Sequence, residues 1–204
     1  QELGVPAAPP ILGGVGQIGM RKGWDVVIKA MQQIRQQFPE VHLTIVGERH
    51  SQKQEAIDYH RQLTQLANQS ELKGHVHFLG RRDDIACLLN QWTLLVHPAR
   101  QEPLGRVLLE AAASGCPVVA TEVGGTREIF PGPSDGGLLV SVESSEELAN
   151  AVCRLLSAPE LLSSLGVGGR ERAIGCFGVS RSAAELMQHY RAVTSGGTST
   201  EAAK

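Results

Sequence analysis

WTLLVHPARQEPLGRVLLE, Trp92 to Glu110, is the stretch that decides the fold. Trp92 to Val96 is apolar and rich in strand formers, the pattern of a buried strand. Pro103 suits the first turn of a helix, where a backbone N–H would lack a partner anyway, so a helix is expected to start within a residue or two of it. The segment therefore reads as a strand handing over to a helix, the junction at which open parallel sheets take their ligands.

The chemistry of that junction follows from its backbone. The N–H groups of Leu104, Gly105 and Arg106 are expected to lack intrahelical acceptors and to point outward at the positive end of the helix dipole, which attracts an anion such as phosphate. Gly105 has no Cβ, so a bulky anion could approach the backbone there. Eight helical residues turn through about 800°, which places Glu110 roughly two turns beyond Glu102 on a neighbouring face. A diphosphate with hydroxyl-bearing sugars at both ends matches that spacing, with one glutamate accepting from each sugar. The implied ligand is a nucleotide-sugar. The same segment also reads as a capped surface helix whose glutamates merely face solvent.

Outward from this segment, apolar strand-like runs alternate with amphipathic helical patterns, which argues for βαβ units and a doubly wound parallel sheet of the α/β class. Strands are expected at Ile11 to Ile18, Val41 to Val46, Val76 to Leu79, Trp92 to Val96, Pro117 to Ala120 and Gly137 to Val140. Helices are expected from about Gly23 to Gln37, Ser51 to Ser70, Asp83 to Asn90, Glu146 to Leu156, Pro159 to Leu165 and Ser182 to Val193. One nucleotide-binding domain would span residues 1–193, and the small polar tail 194–204 is expected to be disordered.

Composition excludes several classes. The chain has 204 residues, enough for one good core, and a formal charge of -2 from 19 basic and 21 acidic residues scattered along it. Nothing in it resembles a nucleic-acid surface. No apolar run approaches the roughly 20 residues needed to cross a bilayer, which leaves a peripheral membrane role open. Cys87, Cys116, Cys153 and Cys176 lack finger or redox-pair spacing and are expected to be reduced, as in a cytoplasmic protein. No signal peptide is visible and Gln1 is not Met, so the chain is expected to be cut from something longer.

With the first and fourth strands central, the crevice lies between the loops that follow them, Gly16 to Gly23 and His97 to Gly105. Lys22 then stands opposite the anion-binding helix start and could neutralise a diphosphate, although a solvated lysine is the plainer reading. Asp83 and Asp84 invite a metal reading, but they precede an apolar helix and are expected to cap it, so no metal is expected. The seven histidines show no ligand spacing; His97 simply ends a strand. Gly124 and Gly125, ahead of Thr126, read equally as an anion nest or as a tight strand-to-helix turn.

Taken together, Arg21-Lys22-Gly23, VHLTIVGE, HFLGRRDD and above all EPLGRVLLEAAASGCPVVATEVGGTREI resemble the C-terminal, donor-binding domain of retaining group 1 glycosyltransferases with the GT-B fold, over most of Ile11 to Val193. The resemblance implies half of a GT-B enzyme of the hexosyltransferase type. It also implies that Glu102 lies by the donor sugar, that the Leu104 and Gly105 amides hold the diphosphate and that Glu110 binds the ribose. The nucleotide-sugar site so implied comprises Gly16, Gln17, Lys22, Gly80, Arg81, Glu102, Pro103, Leu104, Gly105, Arg106 and Glu110. Within it Glu102 and Lys22 are the catalytic pair and Gly80 and Arg81 lie near the base.

No cofactor is implied beyond the donor substrate, and the acceptor site would lie in an N-terminal domain absent here. The parent would act in the cytoplasm, including at the inner face of a membrane. One departure stands out: the family's glycine-arginine pair is Gly16-Gln17 here, and a neutral glutamine makes no charge-assisted contact with phosphate. Arg21 or Arg106 could compensate. A stand-alone nucleotide-binding module, the donor subunit of a two-chain transferase, and an epimerase or phosphorylase on the same architecture are the competing readings.

Overall fold

A computed structural model describes residues 9–195. The expected disordered tail falls outside the described residues except for Thr194 and Ser195, which end the last helix. The chain runs β1 (Ile11–Val15), a 3-10 turn (Met20–Lys22), α1 (Trp24–Gln37), β2 (His42–Val46), α2 (Gln54–Ala67), β3 (Val76–Gly80) and α3 (Ile85–Gln91). It continues through β4 (Leu94–His97), α4 (Arg106–Ala113), β5 (Val118–Thr121), α5 (Thr126–Ile129), β6 (Gly137–Val140), α6 (Ser145–Leu156), α7 (Pro159–Phe177) and α8 (Val179–Ser195).

All six strands pair in parallel in the order β3-β2-β1-β4-β5-β6. This is the doubly wound order, and its direction reverses between β1 and β4, where the sequence places the crevice. The two central strands β1 and β4 carry no polar side chain except His97 at the carboxyl end of β4, because both faces are covered. Leu12, Leu43, Ile45, Leu94 and Val96 pack with Trp24, Ile28 and Met31 of α1 and Leu148 and Val152 of α6. On the other face Leu95, Val118 and Ala120 pack with Leu108 and Ala112 of α4, Ile129 of α5 and Ala173 of α7. Each fully buried large side chain contributes about 1.5–3 kcal/mol.

Several element boundaries differ from the sequence expectations, and four of the differences have a local reason. β4 begins at Leu94 because the Trp92 N–H closes α3 on the Leu88 carbonyl at 2.9 Å. The Trp92 ring instead covers Gly13, where a Cβ would lie 1.9 Å from it. Asp84 sits at the N-cap of α3 without capping it, because its carboxylate is held by Arg82 at 2.6 and 2.8 Å. α7 runs on past Leu165 to Phe177 although glycines follow; Gly169 lies against Gly136, where a Cβ would meet the neighbouring Cα at 3.0 Å. That packing outweighs the roughly 1 kcal/mol helix penalty of a glycine.

The fourth difference concerns the site. α4 starts at Arg106, three residues after Pro103, with Gly105 as a left-handed N-cap at φ 76°. A side chain at that φ would be strained, and a Cβ there would press on Leu108 at 2.8 Å and Ile129 at 3.3 Å. Gly105 thus answers a backbone and packing demand on its core side. It does not clear room for a ligand, as the sequence suggests.

Candidate functional site

Gly16, Lys22, Glu102, Pro103, Leu104, Gly105, Arg106 and Glu110 converge on one cavity of about 390 Å³ at the carboxyl ends of β1 and β4, joined by Val15, Arg21 and Val107. Gly16 leaves space that the Lys22 stem fills, its Cε lying 3.0 Å from where a Cβ would be. The turn carrying Lys22 is locked onto the loop after β4. The Arg100 and Gln101 N–H groups donate to the Arg21 carbonyl at 2.8 and 3.3 Å. Gly23, at φ 65°, lies so close to the Pro98 carbonyl that a Cβ would sit 2.0 Å from its oxygen. Only glycine fits after Lys22.

Glu102 is the electrostatic centre of the cavity. Its Oε2 pairs with the Lys22 ammonium and accepts from His97 Nε2 at 2.9 Å, while its Oε1 accepts the Gly105 N–H at 3.1 Å. The His97 hydrogen bond first, and then Lys22, hold its carboxyl down at about 2 against the opposing effect of burial. The Gly105 N–H is therefore occupied by a carboxylate oxygen. Arg106 and Val107, in the first turn of α4, have N–H groups without intrahelical acceptors by helix geometry, and both residues line the cavity. Glu110 is exposed, and its carboxylate has no hydrogen-bond partner among the described residues.

The other expected residues divide. Gly80 lines a second cavity of about 400 Å³ beyond β2 and β3, with Ile18, Gly47, Glu48, Arg49, His60 and Phe78. Arg81 and Gln17 line neither cavity: the Arg81 guanidinium pairs with Asp83 in solvent, and the Gln17 carbonyl accepts from Trp24 Nε1 at 3.1 Å. Arg21 and Arg106, the expected substitutes for a missing arginine, both line the first cavity. Gly124 and Gly125 lie against the backbone of residues 102–104, where a Cβ on Gly124 would meet the Glu102 carbonyl at 2.0 Å and one on Gly125 the Pro103 carbonyl at 3.3 Å. Carbonyl oxygens are poor company for an anion, so the tight-turn reading of these glycines holds. Among the described residues no group of three or more His, Cys, Asp or Glu is arranged to hold a metal ion.

Two features escaped the sequence reading. His97 is fully buried and bonded to Glu102, and the only signal was its position at the end of a central strand, five residues before that glutamate. Arg100 is the second: its guanidinium donates to the Met20 carbonyl at 2.6 Å, to Asp25 at 2.9 and 3.0 Å and to Glu143 at 2.9 Å. Asp25 also accepts the Tyr59 hydroxyl at 2.6 Å. Burial would raise the Asp25 carboxyl, but Arg100 and Tyr59 hold it below its ordinary value. A third cavity, near Trp92, Cys116, Pro117 and Arg170, opens at the amino ends of the strands, away from the crevice.

Comparison with known proteins agrees with this geometry. The family model described as glycosyl transferases group 1 matches residues 9–158. The chain is 33% identical over 201 residues to alpha-maltose-1-phosphate synthase of Mycolicibacterium smegmatis, a match covering 95% of this chain and 50% of that protein. Sucrose-phosphate synthase from Thermosynechococcus elongatus superposes with a TM-score of 0.82 at 33% identity, covering 96% of this chain and 48% of that one. HepE from Anabaena, solved in complex with UDP-glucose, gives 0.81 at 28% identity, covering 89% and 48%. The chain thus spans about half the length of the relatives it matches.

Proposed function

The chain belongs to the group 1 glycosyl transferases, and from that premise we propose that it is the donor-binding half of a retaining hexosyltransferase. It would take a sugar from a nucleoside diphosphate sugar and pass it to an acceptor hydroxyl held by the other half. The convergence of Lys22, Glu102, the first turn of α4 and Glu110 on one cavity at the switch point carries this reading. HepE, whose structure contains UDP-glucose, supports the choice of ligand class.

The diphosphate would lie against the first turn of α4 and the Lys22 ammonium. Both are fixed positive groups that stabilise charge as it builds on the departing diphosphate. Glu102 would orient the sugar, and the exposed Glu110 carboxylate would accept from the ribose. Gly80 and the cavity beside it would receive the base. Arg21 and Arg106 would supply the charge that Gln17 does not. No cofactor enters the reaction in this reading. The four cysteines are free thiols in the structure, which suits a reducing cytoplasm. No helix among the described residues is long and apolar enough to cross a membrane.

One observation favours a partner domain or subunit over a stand-alone module. Leu186, Met187, Tyr190 and Val193 stand exposed along α8, an apolar stripe that a self-contained protein would cover. By itself the chain is then expected to bind donor nucleotide weakly and to turn over little. Calorimetric titration with UDP, GDP and ADP, beside a Glu110→Ala variant and with magnesium withheld, tests the reading. Selective binding of one nucleotide that survives without metal and weakens in the variant supports it. Equal or absent binding of all three at millimolar concentration counts against it, and so does multiple turnover by the isolated chain.

A further inference from the structure

Glu102 occupies two of the donors that face an incoming diphosphate, while the Arg106 and Val107 N–H groups stay without intrahelical acceptors. The Lys22 ammonium is paired with it, and the Gly105 N–H donates to it at 3.1 Å. An anion that draws Lys22 and the Gly105 N–H to itself displaces the carboxylate from these contacts, and a carboxylate released inside a half-buried cavity then needs another donor to fix its direction. His97 is that donor. Its Nε2 lies 2.9 Å from Glu102 Oε2, and the ring is wholly buried at the end of β4 and does not line the cavity, so no anion competes for it.

The protonation pattern is assigned by its partner. An ionised carboxylate only accepts, so the proton of a neutral imidazole sits on Nε2 and Nδ1 is a bare acceptor. Nδ1 is buried and without a partner among the described residues, which costs less for a lone pair than for an N–H. Burial pushes the His97 pKa down and so keeps the ring a neutral donor. The His97 backbone is held in register by its parallel pairing with Ala120 of β5, and the loop that follows is held by the Thr121 hydroxyl, which donates to the Ala99 carbonyl.

We propose, resting on the donor-site reading above, that His97 is a positioning residue which holds Glu102 while Lys22 and the Gly105 N–H pass to the diphosphate, so that the freed carboxylate oxygen meets the sugar hydroxyls. His97 then acts on the sugar half of the ligand and leaves the nucleoside diphosphate half untouched. A purely structural histidine would affect both halves together.

The test is calorimetric titration of the full 204-residue chain with UDP and with UDP-glucose, or with the GDP or ADP pair if the base screen prefers one. Wild type is compared with His97→Leu, which has no donor, and with His97→Gln, which keeps one. One hydrogen bond to a charged group corresponds to about a tenfold change in affinity. His97→Leu is therefore expected to bind UDP-glucose about tenfold more weakly and UDP within about threefold of wild type, with His97→Gln recovering most of the loss. If His97→Leu does not fold, His97→Asn, whose amide is too short to reach Glu102, replaces it with the same expectation. A variant that loses UDP and UDP-glucose affinity equally, or loses neither, overturns the inference. Failure of wild type to bind any of these nucleotides overturns the donor-site reading on which it rests.

Discussion

Replacing Arg100 by Met keeps the apolar stem and removes the guanidinium that ties the Met20–Lys22 turn, α1 and the loop before α6 together. Asp25, with a side chain only 9% exposed, would retain the Tyr59 hydroxyl and, at 4.0 Å, the largely exposed Lys29 ammonium. Removing one member of a fully buried ion pair costs roughly 3–5 kcal/mol. The Arg100 side chain is 23% exposed and that of Glu143 is 56% exposed, so part of the pairing is screened and the expected loss is about 2–3 kcal/mol.

The pH dependence has a definite sign. In the wild type Asp25 is held below its ordinary value and contributes stability above the unfolded carboxylate pKa, about 3.9. Without Arg100, burial dominates and raises the folded pKa, so the carboxylate costs stability once pH climbs through it. The destabilisation should therefore be larger near pH 7 than near pH 4, read as urea midpoints at constant slope. A double-mutant cycle with Asp25→Asn should return a coupling of about 1 kcal/mol or more. An Arg100→Met midpoint equal to that of wild type, or a deficit independent of pH, would refute this account of the network.

Acidification from about pH 4.5 to 2 should remove the stabilisation that Glu102 draws from His97 and Lys22, about 1–2 kcal/mol after screening, and Glu102→Gln should flatten that part of the stability–pH curve. Gly124→Ala, at φ 50° and against the Glu102 carbonyl, should cost about 2–4 kcal/mol in urea unfolding and should also weaken UDP-glucose binding by shifting the Glu102 backbone. Glu143→Gly should change stability by less than about 0.5 kcal/mol, because relief of a non-glycine φ of 64° offsets the lost surface pairing with Arg100; a larger loss would give that pair more weight than its exposure warrants.

The strands and the central place of the first and fourth were legible because apolar runs of this length alternate with helical patterns, and short connections in a βαβ pattern leave few topologies. Gly137 to Val140 read correctly on that basis, and Val41 to Val46 to within one residue of β2. The extent of α7 was not legible, since the benefit of Gly169 comes from Gly136, a residue distant in sequence. The start of α4 was misjudged for a similar reason. Pro103 marks a turn capped by Glu102, and the left-handed φ of Gly105 is fixed by Leu108 and Ile129 packing beneath it. At the site, Glu102 and Glu110 could be picked out from their eight-residue spacing about a helix start, and Lys22 from the loop after β1, which the sheet sets opposite that start. His97 and Arg100 could not, because their roles depend on which loops meet after folding, and neither charge nor period marks them.

The central claim is that the carboxyl ends of β1 and β4 hold a nucleoside diphosphate. Backbone amide NMR of the 15N-labelled chain during titration with UDP tests it most directly. The account predicts that the largest shifts fall on Gly16, Lys22 and Leu104 to Val107, with a second group at Gly47 to Arg49 and Gly80, and that they vanish in Lys22→Ala. Shifts centred on Trp92, Cys116 and Arg170 at the opposite end of the sheet, or shifts unaffected by Lys22→Ala, would contradict it.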